Sequence, residues 1–271
     1  MDRIEFNGLT LSARNGAVLS FRPHGKELLR PARELFTLQL LDPERRPRRV
    51  CSSDFAAPQK FGELTLVFAE AKQFPRLHVT AFLRGEADGS VVFRFGVRGM
   101  GSGWRLEWID GPQPVIGAGQ TLFSPVSEGM LVTDFSLRRN DAYSRYHELG
   151  FPIRGRSTGN LYPGSAQMQF LAAYDAKGNG VYFGADDPFH TPKAVEYEPL
   201  DGGDARLSLQ TFCGDGEPER YRSFEYRLTP FRGDWKNACE CYRNWIYSLP
   251  EFRKRPVRPA WMRDSPITLI Y

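Results

Sequence analysis

Two short stretches of the 271-residue chain carry side chains of the types that do chemistry. The first is Asp186-Asp187-Pro188-Phe189-His190 with Lys193, which gathers two carboxylates, an imidazole and an ammonium within eight residues. Such a set could supply a general acid and base or a weak metal site. It reads equally as a strand-ending turn in which Pro188 fixes Asp187 and the charges are solvated. Zinc would want more nitrogen or sulfur ligands than His190 alone. The second stretch surrounds the kink at Pro163-Gly164, where Asn160, Tyr162 and Gln167 offer two amides and an aromatic face. Sugar hydroxyls are bound by such amides and the apolar side of a sugar ring by such a face. The competing reading makes Tyr162 a core or interface aromatic at a chain reversal. Further candidates are Trp104 and Trp108, and the segment Tyr143-Ser144-Arg145-Tyr146-His147-Glu148. Strand alternation puts Trp104 and Trp108 on one face, which suits core packing.

Other chemistries are disfavoured. Cys51, Cys213, Cys239 and Cys241 are too scattered for a disulfide framework, and Cys239-Glu240-Cys241 is not a CxxC pair, so reduced thiols are predicted. Neither a metal nor a cofactor is expected. The net charge of +4 is small for this length. The basic runs Arg45-Arg46-Pro47-Arg48-Arg49 and Arg253-Lys254-Arg255-Pro256-Val257-Arg258 lack the interleaved aromatics that base stacking needs. They read as a solvated loop tip and a linker, and nucleic acid is not an expected partner. The N-terminus has no basic-then-apolar leader, and no run approaches the ~18 apolar residues of a membrane span, which predicts a cytoplasmic protein without a membrane partner.

The elements that must position these residues are strands. With 26 Gly, 20 Pro and 13% aromatics, the composition suits many strands joined by tight turns. Residues 4–6, 9–13 and 17–21 alternate apolar and polar around Asn7-Gly8 and Asn15-Gly16, the signature of a three-stranded meander with type I′ turns. Further strands are predicted at 35–41, 64–69, 77–84, 91–98, 104–109, 168–174, 181–185, 194–197, 206–212 and 221–229. Residues 111–164, rich in proline and without periodicity, read as long connections where binding usually lives. One helix is predicted after Gly233, with Asp234 as N-cap and Trp235, Ala238, Cys239, Tyr242, Trp245, Ile246 and Leu249 on one stripe, stopped by Pro250. The basic, proline-rich residues 251–260 have linker composition. Beyond them Ile267-Thr268-Leu269-Ile270-Tyr271 is an apolar run that would need strand neighbours on both sides.

The order of these parts resembles a group of glycoside hydrolases in which an N-terminal β-supersandwich of galactose-mutarotase type packs on a (β/α)8 barrel. The resembling residues are Phe231-Arg232-Gly233-Asp234-Trp235-Lys236-Asn237-Ala238, Tyr242-Arg243-Asn244-Trp245 and Ser265-Pro266-Ile267-Thr268-Leu269-Ile270-Tyr271. A second segment, Asn160-Leu161-Tyr162-Pro163-Gly164-Ser165-Ala166-Gln167-Met168-Gln169, is similar to the Tyr-Pro-Gly segment of domain-of-unknown-function family 6259. Related arrangements occur in α-galactosidases and endo-α-N-acetylgalactosaminidases. The resemblance implies an all-β, antiparallel supersandwich over residues 1–232, a docking helix at 233–250, a linker at 251–260 and the first strand of a truncated barrel at 261–271. It implies a non-catalytic domain that supports a catalytic barrel C-terminal of Tyr271 and contacts carbohydrate through Asn160, Tyr162, Gln167, Asp186, Asp187, His190 and Lys193. No catalytic pair carries over, because glycosidase carboxylates sit at the ends of barrel strands. On this reading the helix stripe and the terminal strand are poorly satisfied in the chain alone. The alternatives are a stand-alone aldose epimerase, which would pair histidines with a glutamate, and a carbohydrate-binding module. Against the epimerase, His24, His78, His147 and His190 lie far apart in the sequence.

Overall fold

A computed structural model describes residues 3–62, 64–126, 129–135, 160–214, 220–253 and 260–261. Its regular structure is mostly antiparallel strand, as the turn spacing predicts. The meander forms first: β1 (Arg3–Phe6), β2 (Leu9–Ser12) and β3 (Val18–Phe21) make a three-stranded sheet in that order. At its first turn Asn7 and Gly8 take φ of 46° and 76°, the left-handed pair a type I′ turn requires. The second connection departs from expectation. Only Gly16 is left-handed there, and a register shift between Thr10 and Leu11 accommodates a longer loop.

Two larger sheets follow. Their strands are β4 (Thr37–Leu41), β5 (Pro47–Cys51), β6 (Gln59–Phe61), β7 (Thr65–Phe68), β8 (His78–Gly85), β9 (Val91–Arg98) and β10 (Arg105–Asp110). The chain continues through β11 (Val115–Ile116), β12 (Thr121–Ser124), β13 (Met130–Val132), β14 (Leu161–Tyr162), β15 (Phe170–Tyr174) and β16 (Asn179–Asp186). It closes with β17 (Lys193–Pro199), β18 (Ala205–Phe212), β19 (Arg220–Arg222) and β20 (Glu225–Arg232). The seven-stranded sheet runs β14-β17-β18-β10-β4-β5 with β11 beside β18; the ten-stranded sheet runs β13-β12-β15-β16-β20-β9-β8-β7-β6 with β19 beside β9. Inward residues of both, among them Leu38, Leu40, Phe36, Phe93, Phe95, Phe183, Leu207 and Leu209, form one apolar core. Each large side chain so buried contributes on the order of 1.5–3 kcal/mol.

Three features of this sandwich differ from the sequence reading. The arginine run at 45–49 is a hairpin, with its last residues in β5 paired along β4. Residues 111–164, read as connections, contain the short strands β11 to β14. Trp104 and Trp108 do not share a face. Leu106 opposes Leu40 while Trp108 opposes the adjacent Gln39, so a bulge inserts one residue and flips the strand. Trp104 packs edge-on to Phe74 at 4.9 Å against the core, whereas Trp108 is buried outside that core with the Arg49 guanidinium 5.7 Å over its ring.

The helix α1 (Trp235–Ile246) begins where predicted, and the Asp234 carboxylate accepts from Lys236 N at 2.8 Å while Asn237 Oδ1 accepts from Asp234 N at 3.1 Å. Gly233, at φ 117°, hands the chain from β20 to the helix, and its N–H donates to Gly178 O at 2.9 Å in the β15–β16 turn. Pro250 does not merely stop α1; it opens a further turn, α2 (Pro250–Arg253). The apolar stripe is met by the sandwich itself. Ala238 and Tyr242 bury against Phe123, Phe170, Ala172 and Tyr182 on the outer face of the ten-stranded sheet, forming a second apolar cluster. The expectation of a half-satisfied stripe therefore does not hold for these two residues. Residues 262–271 lie outside the described residues, as do Tyr143 to Glu148. Among the described residues no helix is long and apolar enough to cross a membrane.

Candidate functional site

The turn after β16 and the start of β17 bring four of the seven predicted residues together. Asp187 is fully buried and folds the turn around its own carboxylate: Oδ1 accepts from Phe189 N at 3.0 Å and Oδ2 from Thr191 N at 2.7 Å. The same Oδ2 meets Lys193 Nζ at 2.5 Å, and Lys193, also without exposed surface, donates to Thr191 O at 2.6 Å. Phe224 lies under the ammonium at 4.4 Å and Tyr162 at 5.5 Å, so two ring faces complete its shell. Burial disfavours the charged amine and lowers the Lys193 pKa to about 8, against the pull of Asp187. A fully buried ion pair held in this way fixes geometry; with no exposed surface on either side chain it is not presented to a ligand.

Tyr162 reaches this cluster because β14 pairs with β17 in a register that sets Tyr162 opposite Lys193. Its hydroxyl and His190 Nδ1 share a hydrogen bond of 2.5 Å, and Tyr242 of α1 lies close enough to influence the phenol. Burial raises the pKa of the Tyr162 phenol, the Tyr242 contact opposing it. His190 sits at φ 54°, in the left-handed conformation imposed by the tight turn around Asp187, and its ring meets Phe252 of α2 edge-on at 6.2 Å. Phe189 beside it is 86% exposed. The structure thus assembles a buried Lys193–Asp187 anchor beneath a buried Tyr162 ring, with His190 half-buried at the rim.

The remaining predicted residues stand apart from the rim. Asp186 points to the other side of its strand, where its Oδ2 accepts from Arg227 Nε at 2.8 Å. Burial raises the Asp186 pKa and Arg227 opposes it. Asn160 is buried at the start of β14, its carbonyl accepting from Val195 N at 2.8 Å. Gln167 is exposed, and among the described residues only its backbone is fixed, donating to Pro125 O at 2.9 Å. The adjacent carboxylates Asp186 and Asp187 are therefore spent on separate structural cations and do not form an acid–base pair. Among the described residues no group of three or more histidine, cysteine or acidic side chains could hold a metal ion. Sequence reasoning missed Tyr242, Phe224 and Phe252 as members of this site. Tyr242 was visible as a polar-tipped aromatic on an otherwise apolar stripe; nothing local marks the other two.

No protein-family model matches the chain, and no curated protein matches its sequence. The similarity to family 6259 accordingly rests on its motif alone. Solved structures do match. The quadruple mutant of alpha-N-acetylgalactosaminidase NagBb from Bifidobacterium bifidum superposes over 92% of this chain with a TM-score of 0.63 at 14% identity. The GalNAc complex of the same enzyme gives a TM-score of 0.60 at 13% identity, again over 92% of this chain. A weaker likeness, TM-score 0.44 and 11% identity over 83% of this chain and 33% of that one, is to the GH36 alpha-galactosidase AgaA from Geobacillus stearothermophilus. This chain spans 39% of the length of the NagBb structures, and with them it shares its antiparallel β-sandwich fold.

Proposed function

We propose that this chain is the non-catalytic N-terminal β-sandwich domain of a glycoside hydrolase, supporting a (β/α)8 barrel that follows Tyr271. The observation that carries the reading is the fold likeness running through 92% of the chain while occupying 39% of an alpha-N-acetylgalactosaminidase. The sandwich would occupy residues 1–232, the docking helix 233–250, the linker 251–260 and the first barrel strand 261–271. The exposed aromatics support this arrangement. Phe189, Tyr247 and Phe252 leave apolar surface in water near the end of α1, and exposed apolar surface of this kind is commonly covered by a partner. In this reading the Tyr162–His190 rim faces the barrel mouth and contacts the carbohydrate substrate, and the Asp187–Lys193 pair holds the rim in place. The protein would be cytoplasmic.

The test compares the purified 271-residue chain with a version extended through the downstream coding sequence. We expect the short chain to hydrolyse no aryl glycoside and the extended one to turn over a p-nitrophenyl α-glycoside. Turnover by the short chain, or a stop codon directly after Tyr271, overturns the reading.

A further inference from the structure

Strand register lays out the end of the ten-stranded sheet away from α1 as a grid. One row reads Phe61, Thr65, Phe82 and Arg94 across β6 to β9. The next reads Gln59, Val67, Thr80, Gly96 and Arg222, and the third ends in Arg98 and Arg220. Rows two residues apart share a face. The residues between them, Leu66, Val79, Ala81, Phe95 and Val97, are buried in the core, so the grid faces outward. Phe61 is 54% exposed and Phe82 49% exposed. Arg94, Arg98, Arg220 and Arg222 are all exposed, and no carboxylate pairs with them among the described residues. At the rim Arg84 is already occupied by Glu86 at 2.8 Å and Glu225 at 3.1 Å.

The face also holds a groove of about 400 Å³ lined by Phe82, Arg84, Arg94 and Arg222. It opens where the ladder along β9 is interrupted. There β19 pairs with Gly96 to Arg98, β20 pairs with Val91 to Phe93, and Ser223 Oγ takes the Phe95 N–H at 2.8 Å. Gly96 leaves the floor beside Phe82 open: a β carbon there would find its nearest atoms only at 3.9 Å.

We propose that this face binds an anionic oligosaccharide, with Arg94 and Arg222 holding its carboxylate or sulfate groups and Phe82 and Phe61 covering its rings. Four guanidinium groups on one surface, with no carboxylate partner among the described residues, create a field that an anion relieves, and the planar fork matches the paired oxygens of a carboxylate or sulfate. Thr65, Thr80 and Gln59 stand among the rings and cations, supplying the hydroxyl and amide partners that sugar hydroxyls use. The spacing argues against stacked bases. Phe61 and Phe82 lie two strands apart, roughly 10 Å, well beyond the ~3.4 Å rise of a nucleic-acid strand. The sugar part of the inference rests on the glycoside hydrolase reading above; the anion part rests on the grid alone.

The experiment titrates the 271-residue chain by calorimetry with oligogalacturonate, with a heparin oligosaccharide, with neutral dextran oligosaccharides and with a single-stranded oligothymidylate. We expect binding to oligogalacturonate or heparin that weakens with salt, and which of the two binds separates carboxylate from sulfate as the recognised group. The double variant Arg94→Ala/Arg222→Ala should lose about tenfold in affinity and Phe82→Ala several-fold, while Arg14→Ala, in the turn between β2 and β3, is unchanged. Circular dichroism of each variant guards against misfolding. Tighter binding of oligothymidylate, equal binding of dextran, no binding of either anionic glycan, or indifference to the double substitution overturns the proposal. Those outcomes leave the aryl glycoside comparison untouched, because the grid residues take no part in the helix contacts.

Discussion

The outer face of the ten-stranded sheet carries two regions built on the same pleat and put to opposite uses. Over β12, β15 and β16, rings of Phe123, Phe170 and Tyr182 stack at 4.9–5.5 Å and are sealed by Tyr242 of α1. Over β6 to β9 the equivalent positions are Phe61, Phe82 and arginines left in water. The backbone is indifferent to this choice. What decides it is whether the outward residues are uniformly apolar, which demands a cover, or aromatic with guanidinium neighbours, which solvates the face while leaving rings available.

If this contrast is right, substitutions on the two regions should separate cleanly by magnitude. The largest effect is expected from Phe170→Ala in the covered region, which removes the ring that touches Phe123, Tyr182 and Tyr242 and should cost about 3–5 kcal/mol in urea unfolding. Asp187→Ala, which strands a buried ammonium under the rim, should cost a comparable ~3–5 kcal/mol and loosen the His190 turn, visible as faster amide exchange at Phe189 and Thr191. Next comes Asp234→Ala, which removes the cap that starts the covering helix, at about 1 kcal/mol in the same assay. Phe82→Ala in the open region should stay within about 0.5 kcal/mol of the parent. A loss at Phe82 matching that at Phe170 would erase the distinction.

Stability against pH probes the buried anchor beneath the rim. The folded Lys193 titrates at about 8, below its value of 10.5 in the unfolded chain, so below pH 8 both states hold the proton and the full burial cost is present. As pH rises above about 8 the folded state sheds it first, the unfolded state binds more protons, and stability increases. The rise should turn over above pH 9. There the unfolded thiols ionise, while burial holds Cys213 up at about 12 and Cys241 at about 11 in the fold. Urea midpoints measured from pH 7 to 10 should show this maximum, and Lys193→Met should abolish its ascending side.

How much of this was readable in the sequence follows from which signals are local. Strand β9 coincides with the run predicted at 91–98, because Val91, Phe93, Phe95 and Val97 recur at every second position and Arg94, Gly96 and Arg98 fall between and after them. Strand β5 went unseen because three of its five residues are exposed on a sheet edge and two are arginines, so the charge pattern of a loop hid the pairing. The bulge at Trp108 cannot be read from a strict period of two. At the candidate site, residue types were legible and their fates were not. Asp186 and Asp187 are neighbours in sequence, yet one meets Arg227 and the other Lys193, a division set by the pleat and by strands far along the chain. The partnership of Tyr162 with Tyr242 depends on helix docking, which no spacing encodes.

The contact of Gly233 with Gly178 ties the covering helix to a distant hairpin. A β carbon on Gly178 would lie 3.1–3.3 Å from the Gly233 backbone, and one on Gly233 would run into the Asn237 side chain that caps the helix. The two bare positions act as a pivot: the shape of the turn at residues 175–179 sets the angle at which the chain departs into α1. Tyr242 rides on that helix beside Tyr162, so hairpin tip, helix and the rim that carries His190 form one continuous series of contacts.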